Sequence, residues 1–221
     1  MPRVERPDIQ PMPAHVLPAF LQAIQGHNFE GVYFVAVFTG MRQSEVLGLT
    51  WDCVDFKANT ISLRRQLLRS KTKGQGFSLQ PLKNDKPRTV APARAVMQML
   101  WAVKVKQAEM QKTAGTAWSN PENFVFTNPL GYHLIRETVY KQYKHIVAGL
   151  GYPDLRFHDL RHTYAVNALR SGDDIKTVQG NLGHYTASFT LDVYGHVTEE
   201  MRRDSADRMQ AFIDNLDTLS A

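Results

Sequence analysis

Apolar residues at Val16, Phe20 and Ile24 recur at the i, i+4, i+8 spacing of a helical face, and the Gly26-His27-Asn28 break closes that segment. Glu30 to Thr39 is then nearly all apolar, running Val32-Tyr33-Phe34-Val35-Ala36-Val37-Phe38. Such a run suits a helix buried on most sides as well as a central strand, and the helical segments around it favour the helix. Gly40 breaks the run, and Gln43 to Leu49 reads as a short helix with Arg42 at its entrance and Glu45 inside it. From Thr50 to Pro92 the texture becomes β. Thr60-Ile61-Ser62-Leu63 and Gln66-Leu67-Leu68 are strand-like, Lys71 to Gly76 is a turn-rich loop, and Phe77 to Leu82 with Arg88 to Ala91 reads as a hairpin around Asn84-Asp85.

Helical spacing returns from Ala93 to Lys112, where Val96, Met99, Leu100, Val103, Gln107 and Met110 share a face. Phe124-Val125-Phe126 reads as a short strand and Leu134 to Leu150 as an amphipathic helix. Asp159 to Arg170, Ile175 to Leu182 and Ala187 to Val193 follow as helices. A last helix from Thr198 carries Met201, Met209, Phe212, Ile213 and Leu216, an apolar stripe expected to dock on its own domain. Pro2 to Pro13 holds four prolines and is expected to be an extended arm. The pattern predicts an α+β, mainly α fold. Residues 15–221 form one domain of helices around a small antiparallel sheet with a hairpin insertion, behind a Pro-rich lead at 1–14.

A chain of 221 residues with 43% hydrophobic positions has enough apolar surface for a sizeable core, which removes intrinsic disorder as a reading. Lys and Arg number 26 against 21 Asp and Glu, and the resulting +5 favours an acidic partner such as nucleic acid. Cys53 is the only cysteine, so neither an internal disulfide nor a Cys-based zinc cluster can form, and a reducing, cytoplasmic setting is expected. No apolar run approaches the roughly 18 residues of a membrane span, and the first residues lack the apolar core of a signal peptide.

Four clusters hold candidate chemistry, and each alone has a plain structural explanation. In Thr39-Gly40-Met41-Arg42-Gln43-Ser44-Glu45, a Gly turn presents Arg42 at a helix start, with Glu45 three residues on to pair with it. That is either a solvated ion pair or a rigid site for bidentate anion binding. In His158-Asp159-Leu160-Arg161-His162, the i, i+3, i+4 spacing predicts that His158, Arg161 and His162 project from one helix face. Such a face can grip a phosphate, and the spacing of His158 and His162, with Asp159 between, also resembles a zinc-hydrolase motif. Leu182-Gly183-His184 alone is a helix C-cap, and Tyr194 in Leu191-Asp192-Val193-Tyr194-Gly195-His196 alone is an ordinary helix-end aromatic. Lys83-Asn84-Asp85-Lys86-Pro87-Arg88 reads as a basic hairpin tip, solvated or in contact with nucleic acid.

Read in chain order, Gly40-Met41-Arg42-Gln43-Ser44-Glu45, Lys83, His158-Asp159-Leu160-Arg161, Leu182-Gly183-His184 and Tyr194 resemble the catalytic domain of the tyrosine recombinases, the integrases of phages and of integrative or conjugative elements. The match runs from about His15 to His196. The resemblance implies site-specific DNA recombination, in which Tyr194 attacks a phosphodiester to give a 3′-phosphotyrosyl enzyme and a 5′-hydroxyl. It implies that His158 accepts the phenol proton, that Arg42 and Arg161 hold the non-bridging oxygens, and that Lys83 protonates the leaving oxygen. His184 would bond the phosphate, Glu45 would fix Arg42, and His162 and His196 would play supporting parts. Lys83 is preferred to Lys71, Lys73 and Lys86 because its surroundings resemble the family's hairpin, and Tyr185 lies at the wrong spacing to replace Tyr194.

No cofactor or metal is implied, since two Arg and a Lys supply the charge that magnesium brings to many phosphoryl-transfer sites. The implied partners are double-stranded DNA, a homo-tetramer assembled on it through the C-terminal helix, and a directionality factor. Only a short lead precedes His15, so the N-terminal DNA-clamping domain usual in the family is expected to be absent. Two other readings stand beside this one. They are a non-catalytic DNA-binding regulator on the same fold, and a zinc hydrolase built on His158, Asp159 and His162.

Overall fold

In a computed structural model of the chain, which describes residues 10–70, 76–82, 87–183, 205–207, 209–210 and 212–214, the long apolar run is a helix, α2 (Glu30–Thr39), between α1 (Leu17–Ile24) and α3 (Gln43–Leu47). Gly31, Val32, Tyr33, Val35, Ala36, Val37 and Thr39 are all buried, because α2 is the central helix and packs against both α4 (Arg94–Ala114) and α6 (Asp159–Arg170). Phe20 from α1, Tyr33 from α2, Tyr143 from α5 (Arg136–Gly149) and Phe157 ahead of α6 meet ring to ring, with centroids 5.5 to 6.4 Å apart. Burial of each such side chain is worth about 1.5–3 kcal/mol, so this cluster fixes the approach to α6. A second, smaller core joins α6 to α7 (Ile175–Leu182) through Ala165, Val166, Leu169, Val178 and Leu182.

The predicted face of α4 is only partly right. Val96, Leu100 and Gln107 are buried, whereas Met99, Val103 and Met110 are half-buried. Gln107 is tolerated inside because its amide donates to the carbonyls of Phe124 at 2.9 Å and Val125 at 3.1 Å while its oxygen accepts from Trp51 Nε1 at 2.7 Å. Phe124-Val125-Phe126 is correspondingly not a strand but makes an isolated bridge from Phe124 to Thr50.

The β region pairs differently from the sequence expectation. Strands β1 (Val54–Asp55), β2 (Thr60–Leu63) and β5 (Arg88–Val90) form one antiparallel sheet, ordered β1-β2-β5. Strands β3 (Arg65–Arg69) and β4 (Phe77–Pro81) form another. The expected hairpin of 77–82 with 88–91 is therefore corrected, since each arm pairs with the preceding ribbon of residues 60–69. Between the pairs Leu63↔Arg88 and Arg65↔Pro81 one arm advances by two residues (63 to 65) and the other by seven (81 to 88). Between these pairs the second arm is thus five residues longer in sequence than the first.

The end of the Pro-rich lead is packed. Met12 is buried, and its N–H donates to Thr163 Oγ1 of α6 at 2.9 Å. Residues 205–207, 209–210 and 212–214 are helical as expected, but Met209, Phe212 and Ile213 are exposed there and do not dock on the chain's own core. The helix expected at 187–193 lies outside the described residues. No helix among the described residues is long and apolar enough to cross a membrane.

Candidate active site

Gly40 ends α2 in the left-handed conformation (φ +66°), and the chain then runs extended through Arg42 into α3. The Arg42 N–H donates to Glu45 Oε2 at 2.8 Å and its Nη1 to Glu45 Oε1 at 3.1 Å, so Glu45 fixes both the backbone and the side chain of Arg42. Arg42 is about one-third exposed, while Glu45 is 1% exposed. A second cation makes that burial tolerable. Arg88, at the start of β5, donates from Nη1 to Glu45 Oε1 at 3.0 Å and from Nη2 to Oε2 at 2.8 Å. Burial disfavours the Glu45 charge, yet the hydrogen bonds and charge of Arg88, then those of Arg42, hold the carboxyl below the usual carboxylate range.

At the start of α6, the Arg156 N–H and guanidinium both bind the Asp159 carboxylate, with contacts of 2.7 to 3.2 Å. This carboxylate lies in the first turn of α6, where the helix dipole favours a negative charge. His158 is the residue just before α6 and is exposed. Desolvation, then the charge of Arg161 and, less strongly, of Arg42, push its imidazole below the ordinary histidine value against the opposing charge of Asp159. It is therefore neutral at neutral pH, the state a proton acceptor needs.

Of the three residues expected on one helix face, only His158 is exposed, which fits the plain structural explanation of a partly buried face. Arg161 is 2% and His162 5% exposed, because α6 is enclosed on most sides. Arg161 Nη1 donates to the Gly40 carbonyl at 2.7 Å and Nη2 to the Leu182 carbonyl at 2.6 Å. Both carbonyls lie at helix C-termini, those of α2 and α7, whose partial negative charge stabilises a buried guanidinium. His162 sits edge-on behind His158, ring centroids 4.9 Å apart.

A cleft of about 580 Å³ opens over this arrangement, lined by Arg42, Ser44, Arg136, Tyr140, Arg156 and His158. Arg42 and His158 line it, whereas Arg161, Glu45 and His162 are buried and do not. Lys83, His184, Tyr194 and His196 lie outside the described residues. Three arginines against the one carboxylate of Glu137 give this lining an excess of positive charge, which favours an anion. Asp159, the middle residue of the zinc-hydrolase reading, is instead engaged by Arg156. Among the described residues no group of three or more His, Cys, Asp or Glu is placed to hold a metal.

Sequence reading missed Arg88, taken as part of a basic tip, and the cleft residues Arg136 and Arg156. The signal for Arg88 is the two-residue strand alternation, which puts it on the same face as the buried Val90. Arg136 opens α5, and the Gln43 side-chain amide donates to the Arg136 carbonyl at 3.2 Å and accepts from Arg136 Nε at 3.3 Å across 93 residues, a long-range pairing no local pattern reveals.

Residues 12–201 match the phage integrase family. A XerC-like tyrosine recombinase of Caldanaerobacter subterraneus subsp. tengcongensis is 29% identical over 197 residues, which cover 85% of this chain and 50% of that protein. The ICEBs1 integrase of Bacillus subtilis is 26% identical over 183 residues, covering 82% of this chain and 48% of that protein. The chain thus spans about half the length of the curated relatives it matches. Among solved structures, the Tn1549 transposon integrase in complex with transposon right end DNA superposes with a TM-score of 0.75 at 22% identity, covering 93% of this chain and 68% of that one. The XerA recombinase does so with a TM-score of 0.68 at 21% identity, covering 89% and 65%. These likenesses establish the fold, a mainly α domain with a small antiparallel β component, and the family match over most of the sequence places the chain in the phage integrase family.

Proposed function

We propose that this chain carries out site-specific recombination of double-stranded DNA for a mobile element or phage, cutting and rejoining strands through Tyr194. The observation that carries this reading is the cleft in which Arg42, held by a buried carboxylate, and a neutral His158 face the same opening, in a member of the phage integrase family. The Tyr194 oxygen attacks the phosphorus, its proton passes to His158, and the 5′-oxygen departs with a proton from Lys83. Arg42 stabilises the charge on the non-bridging oxygens, while Arg161 adds its charge and His184 a hydrogen bond. The phosphotyrosyl bond keeps the energy of the phosphodiester, so a second strand's 5′-hydroxyl can reverse the step without ATP.

We further assign DNA as the occupant of the cleft, a tetramer on DNA built through the exposed C-terminal stripe, a directionality factor as an additional partner, and the bacterial cytoplasm as the setting. DNA complexes of the Tn1549 integrase support the first of these. The test incubates the chain, with EDTA, with nicked duplexes from the ends of the element that encodes it, then digests and seeks a nucleotide on tyrosine by mass spectrometry. The expected adduct lies on Tyr194 and disappears in Tyr194→Phe while DNA binding persists. Binding without any adduct in the unaltered chain would overturn the reading in favour of a DNA-binding regulator.

A further inference from the structure

Arg88 makes more contacts with the parts of the cleavage site than any role in the β-sheet requires. Its guanidinium engages both oxygens of Glu45 at 2.8 and 3.0 Å, and its Nε donates to the Asn181 carbonyl in the last turn of α7 at 2.9 Å. Gly183, the C-cap of α7 with φ +68°, lies against the same side chain, where a Cβ would stand 3.0 Å from Arg88 Cδ and Nη1. The Arg88 side chain is 8% exposed, so this is a buried, three-way junction and not a surface ion pair. It joins β5, which follows Lys83 by five positions (83 to 88), to the carboxylate that holds Arg42 and to the helix end from which His184 follows directly.

We propose that Arg88 is a positioning residue for strand cleavage, clamping Glu45, and through it Arg42, to the C-terminal end of α7. The proposal rests on the recombinase reading for its reaction but on the observed contacts for its geometry. Without the fork, Glu45 keeps only Arg42, and a carboxylate that has lost its second cation redirects the Arg42 side chain inward, away from the cleft. A Lys at this position keeps a charge but cannot bond two carboxylate oxygens and a carbonyl together in one plane.

The test compares the unaltered chain with Arg88→Gln, Arg88→Lys and the double variant Glu45→Gln/Arg88→Gln, using two readouts. The first needs no DNA and follows the nitrogen-15 signal of Arg42 Nε during titration with inorganic phosphate. The second is the rate of covalent adduct formation on the nicked duplexes, measured beside DNA affinity. Arg88→Gln is expected to change the Arg42 signal and its phosphate response, and to slow adduct formation by about 100-fold with DNA affinity nearly unchanged. Arg88→Lys should fall between. The double variant removes the uncompensated buried charge and should recover thermal stability but not cleavage. Recovery of both, or an Arg42 signal and cleavage rate unaffected by Arg88→Gln, would overturn the proposal. Should the unaltered chain form no adduct while Arg88→Gln still alters the Arg42 signal, the recombinase reading fails and the clamp stands.

Discussion

His162 shows how the environment of one side chain turns into a pH dependence of the fold. It is 5% exposed behind His158, and burial, followed by the charge on His158, pushes its imidazole down to about 4. In the unfolded chain the value returns to about 6.5. Between those two values the unfolded state binds the extra proton, so the contribution of a neutral His162 is fully present above about pH 6.5 and is lost as pH falls toward 4. The loss amounts to about 3 kcal/mol over that window. Urea denaturation at a series of pH values should show this slope, and His162→Gln should flatten it by about one proton. An unchanged slope would mean that His162 titrates alike in the folded and unfolded chain. Glu45 acts in the same direction, since its lowered carboxyl also loses stabilisation as pH falls, which is why the comparison between variant and parent is the informative quantity.

At the scale of elements, α3 and β3 form the joint on which Arg42 depends. Gly48, just after α3, lets the β3 backbone approach so closely that a Cβ would lie 2.5 Å from Leu67 N and 2.8 Å from Gln66 C. Backbone atoms of a paired strand cannot yield as a flexible side-chain end can. Gly48→Ala should therefore cost about 3 kcal/mol, read as a shift of the denaturation midpoint, with a loss of phosphate response at Arg42 as α3 moves. The extents of α6 and α7 were legible in the sequence because Asp159 at the start of one, Asp174 just before the other, and Gly183 at the end mark them. Strand partners were not legible. Alternation shows that 77–81 and 88–90 are strands but not that they share the 60–69 ribbon, because pairing partners are set by contacts far along the chain and not by the local pattern. For the same reason Arg88 was read as a tip charge. Helical spacing likewise put Arg161 on the face of His158 but could not show that two helix ends elsewhere in the chain would enclose it.

Over the whole molecule, a net charge of +5 is modest, yet Arg42, Arg136 and Arg156 gather at one cleft, so on the proposed function local charge and not the total is expected to set DNA affinity. Affinity for duplex DNA should fall steeply with salt, and Arg136→Gln should reduce the slope of log K against log salt by about 1, the share of one phosphate contact. Fluorescence anisotropy from low to physiological salt measures this, and an unaltered slope would place the DNA elsewhere. Candidate residues of the first half and of the second half could be named from order and type, whereas the junction between the two halves could not, because it is made by contacts between residues far apart in the chain. Arg161 is the clearest case, bonded to carbonyls 121 residues before it and 21 residues after it. A chain emerging from the ribosome therefore leaves the Arg161 guanidinium without one of its two carbonyl acceptors until Leu182 has been added, so this junction can close only late in synthesis.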